Sequence, residues 1–319
     1  MPDPRKHEKY DALIAACRAL PPVATAVAHP CDDCSLEGAV DAAKAGIITP
    51  ILVGPQARIQ AIADSLKLDI SGFERIDTPH SHASAAKAVE LVRLGKAEAL
   101  MKGSLHTDEL MEEVVRADTG LRTERRVSHV FIMDVPTYPK ALYITDAAVN
   151  IFPTLEDKVD IVQNAIELAH ALGVLMPKVA ILSAVETITS KIPSTIVAAA
   201  LCKMAERGQI TGGLLDGPLA LDNAISREAA AMKHIHSEVA GDADILLVPD
   251  LEAGNMLAKE LSFLADADAA GIVLGARVPI VLTSRADSLR TRMASCAVAA
   301  LYAHARRLAA ASAAKRADD

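Results

Sequence analysis

Short apolar runs rich in β-branched residues alternate along this chain with stretches whose apolar residues recur every three to four positions. The runs at 23–28, 50–54, 99–103, 130–134, 141–146, 179–183, 245–249 and 278–282 read as buried strands. The helical pattern is predicted over 36–45, 83–95, 106–115, 157–172, 195–207, 255–264 and a final stretch of about 289–315. Ala86, Val89 and Val92 are expected on the inner face of the second of these. Val159, Val162, Ile166 and Ala169 are expected on that of the fourth, and Leu289, Met293, Cys296 and Ala300 on that of the last. Strands alternating with helices predict an α/β fold of mainly parallel sheets covered on both faces. In such folds ligands sit beyond the carboxyl ends of strands. Lys102-Gly103-Ser104, Asp146, Asp216-Gly217, Asp250 and Ser284-Arg285 fall at such ends.

Composition narrows the picture. The 319 residues are 51% hydrophobic but only 3% aromatic, with no Trp, so the core is built of Ala, Val, Leu and Ile. This length allows two domains. A net charge of −8 and a pI of about 5.7 argue against nucleic acid as a partner. No apolar run reaches the roughly 20 residues of a membrane span, and the first residues lack a secretory apolar segment, so a cytoplasmic protein is expected. Five cysteines are an odd number, which does not suggest a disulfide scaffold. Cys31 and Cys34 form a CxxC that is open to a redox role but has no second pair to complete a zinc site. The His80/His82 and His234/His236 pairs are weak metal signals, and no metal site is expected.

The most chemical stretch is Val278-Pro279-Ile280-Val281-Leu282-Thr283-Ser284-Arg285-Ala286-Asp287-Ser288. It reads as a strand, a tight turn and a helix start. The free N–H groups and dipole of a helix start favour an anion, and Arg285 adds a planar fork suited to phosphate oxygens. The same Ser-Asp-Ser composition also describes an ordinary helix cap. GxxxxGK[ST], GxGxxG and GxSxG are all absent, which disfavours triphosphate hydrolysis, a standard dinucleotide fold and a serine hydrolase.

Several runs together resemble the phosphate acetyl/butyryltransferase family. They are Asp216-Gly217-Pro218-Leu219-Ala220-Leu221-Asp222-Asn223-Ala224, Val248-Pro249-Asp250-Leu251-Glu252-Ala253-Gly254-Asn255-Met256 and the Thr283–Ser288 turn. Met101-Lys102-Gly103-Ser104-Leu105-His106-Thr107, Val127-Ser128-His129-Val130-Phe131-Ile132-Met133 and His29-Pro30 with Ser35-Leu36-Glu37-Gly38-Ala39 add to them. The resemblance spans nearly the whole chain. It implies reversible transfer of a short acyl group between CoA and inorganic phosphate, through acyl-CoA and acyl phosphate. It also implies a homodimer with no bound cofactor or metal, CoA being a substrate. The implied fold is two α/β domains like those of isocitrate and isopropylmalate dehydrogenases, with the site in the cleft between them. The first domain is expected over 1–138 plus 275–319 and the inserted second over 139–274.

By the same resemblance, Ser284 and Arg285 stand beside the reactive phosphate and Ser128 contacts the acyl phosphate. The family's thiol base falls at Thr291 in this chain, which leaves Asp287 as the nearest carboxylate for that role, or equally a helix cap. A thiol of pKa around 8.5 needs such help. Lys102, Ser104, Arg122, Arg126, Asp146, Asp216 and Asn255 are the expected substrate-binding residues. Arg125 belongs to the same basic cluster, while Asn150, Asp222, Asn223 and Lys259 are either ligand contacts or shapers of the cleft or dimer. The motif wording leans toward butyryl members, and acetyl and butyryl both stay open. Two rivals remain: a metal-dependent decarboxylating dehydrogenase of the same fold, and a non-catalytic CoA-binding protein.

Overall fold

A computed structural model describes residues 8–283 and 287–318. The chain divides into two compact units. The first is formed by Tyr10–Arg125 and Ala270–Asp319, and the second by Arg126–Ala269 with Glu8 and Lys9. Lys9 belongs with the second because its Nζ donates to Asp134 Oδ1 at 2.9 Å and to the carbonyls of Val135 and Tyr138.

The elements of the first stretch are α1 (Glu8–Arg18), β1 (Val23–Ala28), α2 (Asp33–Lys44), β2 (Ile48–Gly54), α3 (Gln56–Leu66), β3 (Glu74–Asp77), α4 (Ser81–Arg93), β4 (Ala99–Lys102) and α5 (Thr107–Val115). The second unit then contributes β5 (Ser128–Asp134), β6 (Leu142–Thr145), α6 (Leu155–Ala171), β7 (Lys178–Leu182), α7 (Pro193–Glu206), β8 (Leu214–Leu219), α8 (Leu221–Ile225), α9 (Arg227–Met232), β9 (Ile245–Leu247) and α10 (Leu251–Leu264). The chain closes with β10 (Asp268–Leu274), β11 (Ile280–Val281) and α11 (Leu289–Asp318).

In the first unit the strand order is β3-β2-β1-β4-β11-β10, parallel except for the β10/β11 pair. The second runs β5-β6-β9-β7-β8, parallel except for β5/β6. Central strands carry apolar residues on both faces, as parallel strands under helices must: β4 is buried throughout, and in β1 only Ala24 is partly exposed. Side chains cap the starts of α2, α4, α6, α9 and α10. Asp32 Oδ1 accepts from Ser35 N at the head of α2, and Thr154 with Asp157 forms a capping box on α6.

The predicted alternation is present, with differences at its weak points. On α4, Val89 and Val92 are buried as expected, but Ala86 is exposed and Ala85, Ala88 and Leu91 complete the buried face. Leu289 is 44% exposed, because α11 buries a continuous segment from Ala294 to Ala300 rather than a stripe beginning at its first residue. The strand expected over 278–282 is only Ile280–Val281. Three strands, β3, β8 and β10, and four helices, α1, α3, α8 and α9, have no counterpart among the predicted elements.

Candidate active site

The carboxyl edge of the first unit's sheet is built around a close crossing of two strand ends. Gly103 N donates to Ala28 O, and Ser104 N and Oγ both donate to His29 O at 2.8 and 3.0 Å. A Cβ on Gly103 would stand 2.4 Å from the carbonyl oxygens of both Ala28 and His29, so only glycine lets β4 leave the sheet here. Lys102 is buried, and its Nζ turns back to donate to the carbonyls of Gly103 and Leu105 at 3.2 and 3.1 Å. His29 is buried too. Its Nδ1 pairs with Ser84 Oγ at 3.0 Å, and Ser84 in turn meets Thr78 Oγ1 at 2.8 Å. Burial, reinforced by the nearby Arg58 charge, lowers the pKa of His29, which favours the neutral imidazole.

Strand β11 lies beside β4 with Val281 opposite Met101, which brings Thr283 to the same edge. Thr283 is buried, and its Oγ1 accepts from Arg292 Nη1 at 3.1 Å. Arg292 is only 4% exposed, and its stem passes so close to Gly38 that a Cβ there would meet Arg292 Cδ at 3.1 Å. A buried guanidinium held against Thr283 is a feature that reading the sequence missed; its spacing of nine residues from Thr283 is the only signal that could have suggested it. Ser284 and Arg285 lie outside the described residues. Asp287 is half-buried, and the cap of α11 belongs to its neighbour: Ser288 Oγ accepts from Thr291 N at 3.1 Å. Arg122 is exposed and its backbone bridges to Ala276.

In the second unit, Arg126, Ser128, Asp146 and Asn255 are brought into one polar assembly at the end of β6. Asp146 is 2% exposed and fully engaged. Its Oδ1 accepts from the N–H groups of Ala148 and Val149 at 2.9 and 3.0 Å, and its Oδ2 from those of His129 and Asn150 and from Asn150 Nδ2. Asn150 Oδ1 then accepts from Arg126 Nε at 2.6 Å, while Arg126 Nη1 pairs with Asp157 at 3.0 Å. The guanidinium remains half exposed.

Ser128, expected at the acyl phosphate, is fully buried and its Oγ accepts from Asn164 Nδ2 at 2.8 Å. Asn255 donates to Ala147 O, and the preceding Gly254 allows that approach, since a Cβ there would stand 2.9 Å from Asp146 O. Asp216 is not part of this assembly: it sits on the edge strand β8, where its Oδ1 holds the N–H of Gly217. His129 is buried beside Asp146, with its ring edge-on to Phe131, and burial drives its pKa down to about 4.

Both thiols of the CxxC are free. Cys31 is buried, with its thiol pushed up to about 11, and Cys34 is exposed. Among the described residues no group of three or more His, Cys, Asp or Glu is placed to hold a metal ion, and no helix is long and apolar enough to cross a membrane.

With this geometry in hand, comparison with known proteins gives a consistent result. Residues 79–300 match the family described as Phosphate acetyl/butaryl transferase. A phosphate acetyltransferase of Rhizobium meliloti is 69% identical over 306 residues, covering 96% of this chain and 97% of that protein. A phosphate butyryltransferase of Clostridium acetobutylicum is 47% identical, covering 88% of this chain and 93% of that protein. Among solved structures, a branched-chain phosphotransacylase from Enterococcus faecalis V583 superposes with a TM-score of 0.77 at 32% identity, over 88% of this chain and 99% of that one.

Proposed function

The chain belongs to the phosphate acetyl/butyryltransferase family, and we propose on that footing that it transfers a short acyl group reversibly between CoA and inorganic phosphate. The observation that carries the reading is 69% identity, across 96% of the chain, with a phosphate acetyltransferase. That value exceeds the 47% with a butyryl enzyme, so acetyl is the proposed acyl group. The butyryl-like wording of single motifs yields to agreement along the whole chain.

In the direction of acyl-CoA synthesis, the CoA thiolate attacks the carbonyl carbon of acyl phosphate. The C–S bond forms, the C–O bond to the phosphate oxygen breaks, and phosphate leaves with the bonding pair. The thiol proton goes to a base, for which Asp287 is proposed. Arg285 grips the phosphate oxygens as a charge-assisted fork, and Ser284 with the N–H groups at the start of α11 stabilises the developing oxyanion. Holding both substrates together makes a covalent acyl-enzyme unnecessary. The high pKa values of Cys31 and Cys202, about 11 and 12, also disfavour an acyl-cysteine route. Arg126 is proposed to meet substrate phosphate through its free face, with Asp146, Asn150 and Ser128 holding its support rather than touching the ligand. Lys102 acts likewise by fixing the turn that presents Ser104. The enzyme is proposed to work as a homodimer without bound cofactor.

The test is to incubate the protein with acetyl-CoA and phosphate and follow free thiol, then to repeat with butyryl-CoA. Thiol release that depends on phosphate is the expected result. No release with any short acyl chain would overturn the reading, and NAD(P)H formation from a hydroxy acid with added magnesium would favour a dehydrogenase.

A further inference from the structure

The first unit carries a crevice at the carboxyl edge of its sheet, and of the residues given roles above only Ser104 lines it. In the order β3-β2-β1-β4, the chain leaves β1 toward β2 on one side, while β4 lies on the other. The β1–α2 and β4–α5 loops therefore diverge, opening the kind of switch-point crevice where doubly wound sheets take their ligands. A cavity of about 560 Å³ occupies this place, within the range of small-molecule sites. His29 and Asp32 line it from the first loop, Ser104, Leu105 and His106 from the second, with Arg58, Ser81 and Glu109 completing the wall.

Arg58 decides what the crevice takes. It stands in the first turn of α3, exposed, and among the described residues no hydrogen bond or ion pair engages its guanidinium. The first residue of α4, Ser81, also faces the cavity, so the positive end of a 13-residue helix adds to that charge. Two carboxylates share the wall. One oxygen of Asp32 caps α2, and Glu109 has His82 Nδ1 nearby, at 3.7 Å. A bare phosphate ion would be repelled by that pair and would fill little of the volume. A ligand with phosphates at one end and N–H and O–H donors at the other suits the mixed lining.

We propose that this crevice binds the adenosine 3′,5′-bisphosphate end of CoA, with Arg58 on its phosphates and the carboxylates of Asp32 and Glu109 toward its ribose hydroxyls and adenine amine. The assignment rests on the acyl-transfer reading for the identity of the ligand, while the crevice itself follows from sheet order and lining. Arg58 is a binding residue and plays no part in bond making; the flexible pantetheine arm separates it from the thiol.

The experiment uses the full chain. Adenosine 3′,5′-bisphosphate is titrated by calorimetry into the unaltered protein and into Arg58→Ala, and KM for CoA and for phosphate is measured in both. Loss of one charge-assisted contact is expected to weaken nucleotide binding and raise KM for CoA by roughly tenfold, with KM for phosphate held within about twofold. Equal nucleotide affinity in the two proteins, or displacement of the nucleotide by equimolar inorganic phosphate, would overturn the assignment. Absence of phosphate-dependent thiol release by the unaltered protein would instead overturn the acyl-transfer reading, and the calorimetric comparison would still report on the crevice.

Discussion

Replacing His129 with asparagine should remove a large part of the protein's acid sensitivity. His129 is 1% exposed, its Nδ1 has no hydrogen-bond partner among the described residues, and its pKa is lowered to about 4 by burial, against a partial opposing pull from Asp146. In the unfolded chain the imidazole titrates near 6.5. As pH falls below that value the unfolded state takes up a proton that the folded state refuses, so this contribution to stability is complete above about pH 6.5 and drains away down to about pH 4. Each unit of difference is worth about 1.4 kcal/mol, so the loss is about 1.4 kcal/mol by pH 5.5 and about 3 kcal/mol by pH 4.

Urea midpoints and slopes, measured for both proteins from about pH 7.5 to 4.5, give the comparison. The asparagine in the His129→Asn variant does not titrate. Whatever constant stability the change costs through altered packing cancels when each protein is referred to its own value at the top of the pH range. Other groups with shifted pKa values, such as His29, are common to both proteins and cancel likewise. The stability of the unaltered protein should therefore fall below that of the variant by an amount that grows steadily below about pH 6.5. Parallel curves across the whole range would show that His129 is already protonated in the folded state, its charge balanced by Asp146, and would refute the reasoning.

Three further outcomes are expected. Gly103→Ala should destabilise the first unit by about 1–3 kcal/mol, since its Cβ would stand 2.4 Å from two backbone carbonyl oxygens; a urea midpoint within error of the unaltered protein would contradict this. Arg285→Ala should lower kcat by roughly 10²–10³ without a change in melting temperature, and near-normal turnover would take Arg285 out of the mechanism. Asp287→Asn should slow the reaction and flatten its pH dependence, and an unchanged pH profile would remove Asp287 as the base.

The alternation of strand and helix was legible because buried parallel strands are apolar on both faces and amphipathic helices carry the 3.6-residue period. The elements that escaped lack those signals for physical reasons. Strand β3 is the sheet edge, and Glu74-Arg75-Ile76-Asp77 suits an edge facing water. Strand β8 runs through Asp216-Gly217-Pro218, residues that ordinarily mark a turn, and is tolerated because it too lies at an edge. In β10, Asp268-Ala269-Ala270-Gly271 precedes the apolar residues, and pairing with β11 fixes what local composition leaves open. The long α11 buries every residue from Ala294 to Ala300, so no single stripe in its sequence marks an inner face.

The site was legible to a different depth. The rule that ligands gather at strand carboxyl ends directs attention to Lys102 and Asp146, and the motifs add Ser128 and Asn255. Yet each spends its polar atoms on the protein: Lys102 on its own turn, Ser128 on Asn164, Asp146 on backbone and amide N–H groups and Asn255 on Ala147 O. A loop that must present a ligand contact also needs residues that hold its backbone, and both kinds are polar and adjacent in sequence. Motif reading therefore picks out polar loops without separating residues open to a ligand from those that support the backbone. Arg58 shows the converse. As one arginine in a helix it carries no motif, and only the placement of β2 beside β1 brings it to the crevice, with its guanidinium uncommitted among the described residues. Engagement of the polar atoms, rather than position in a motif, is what distinguishes a residue available to a ligand from one already committed to the fold.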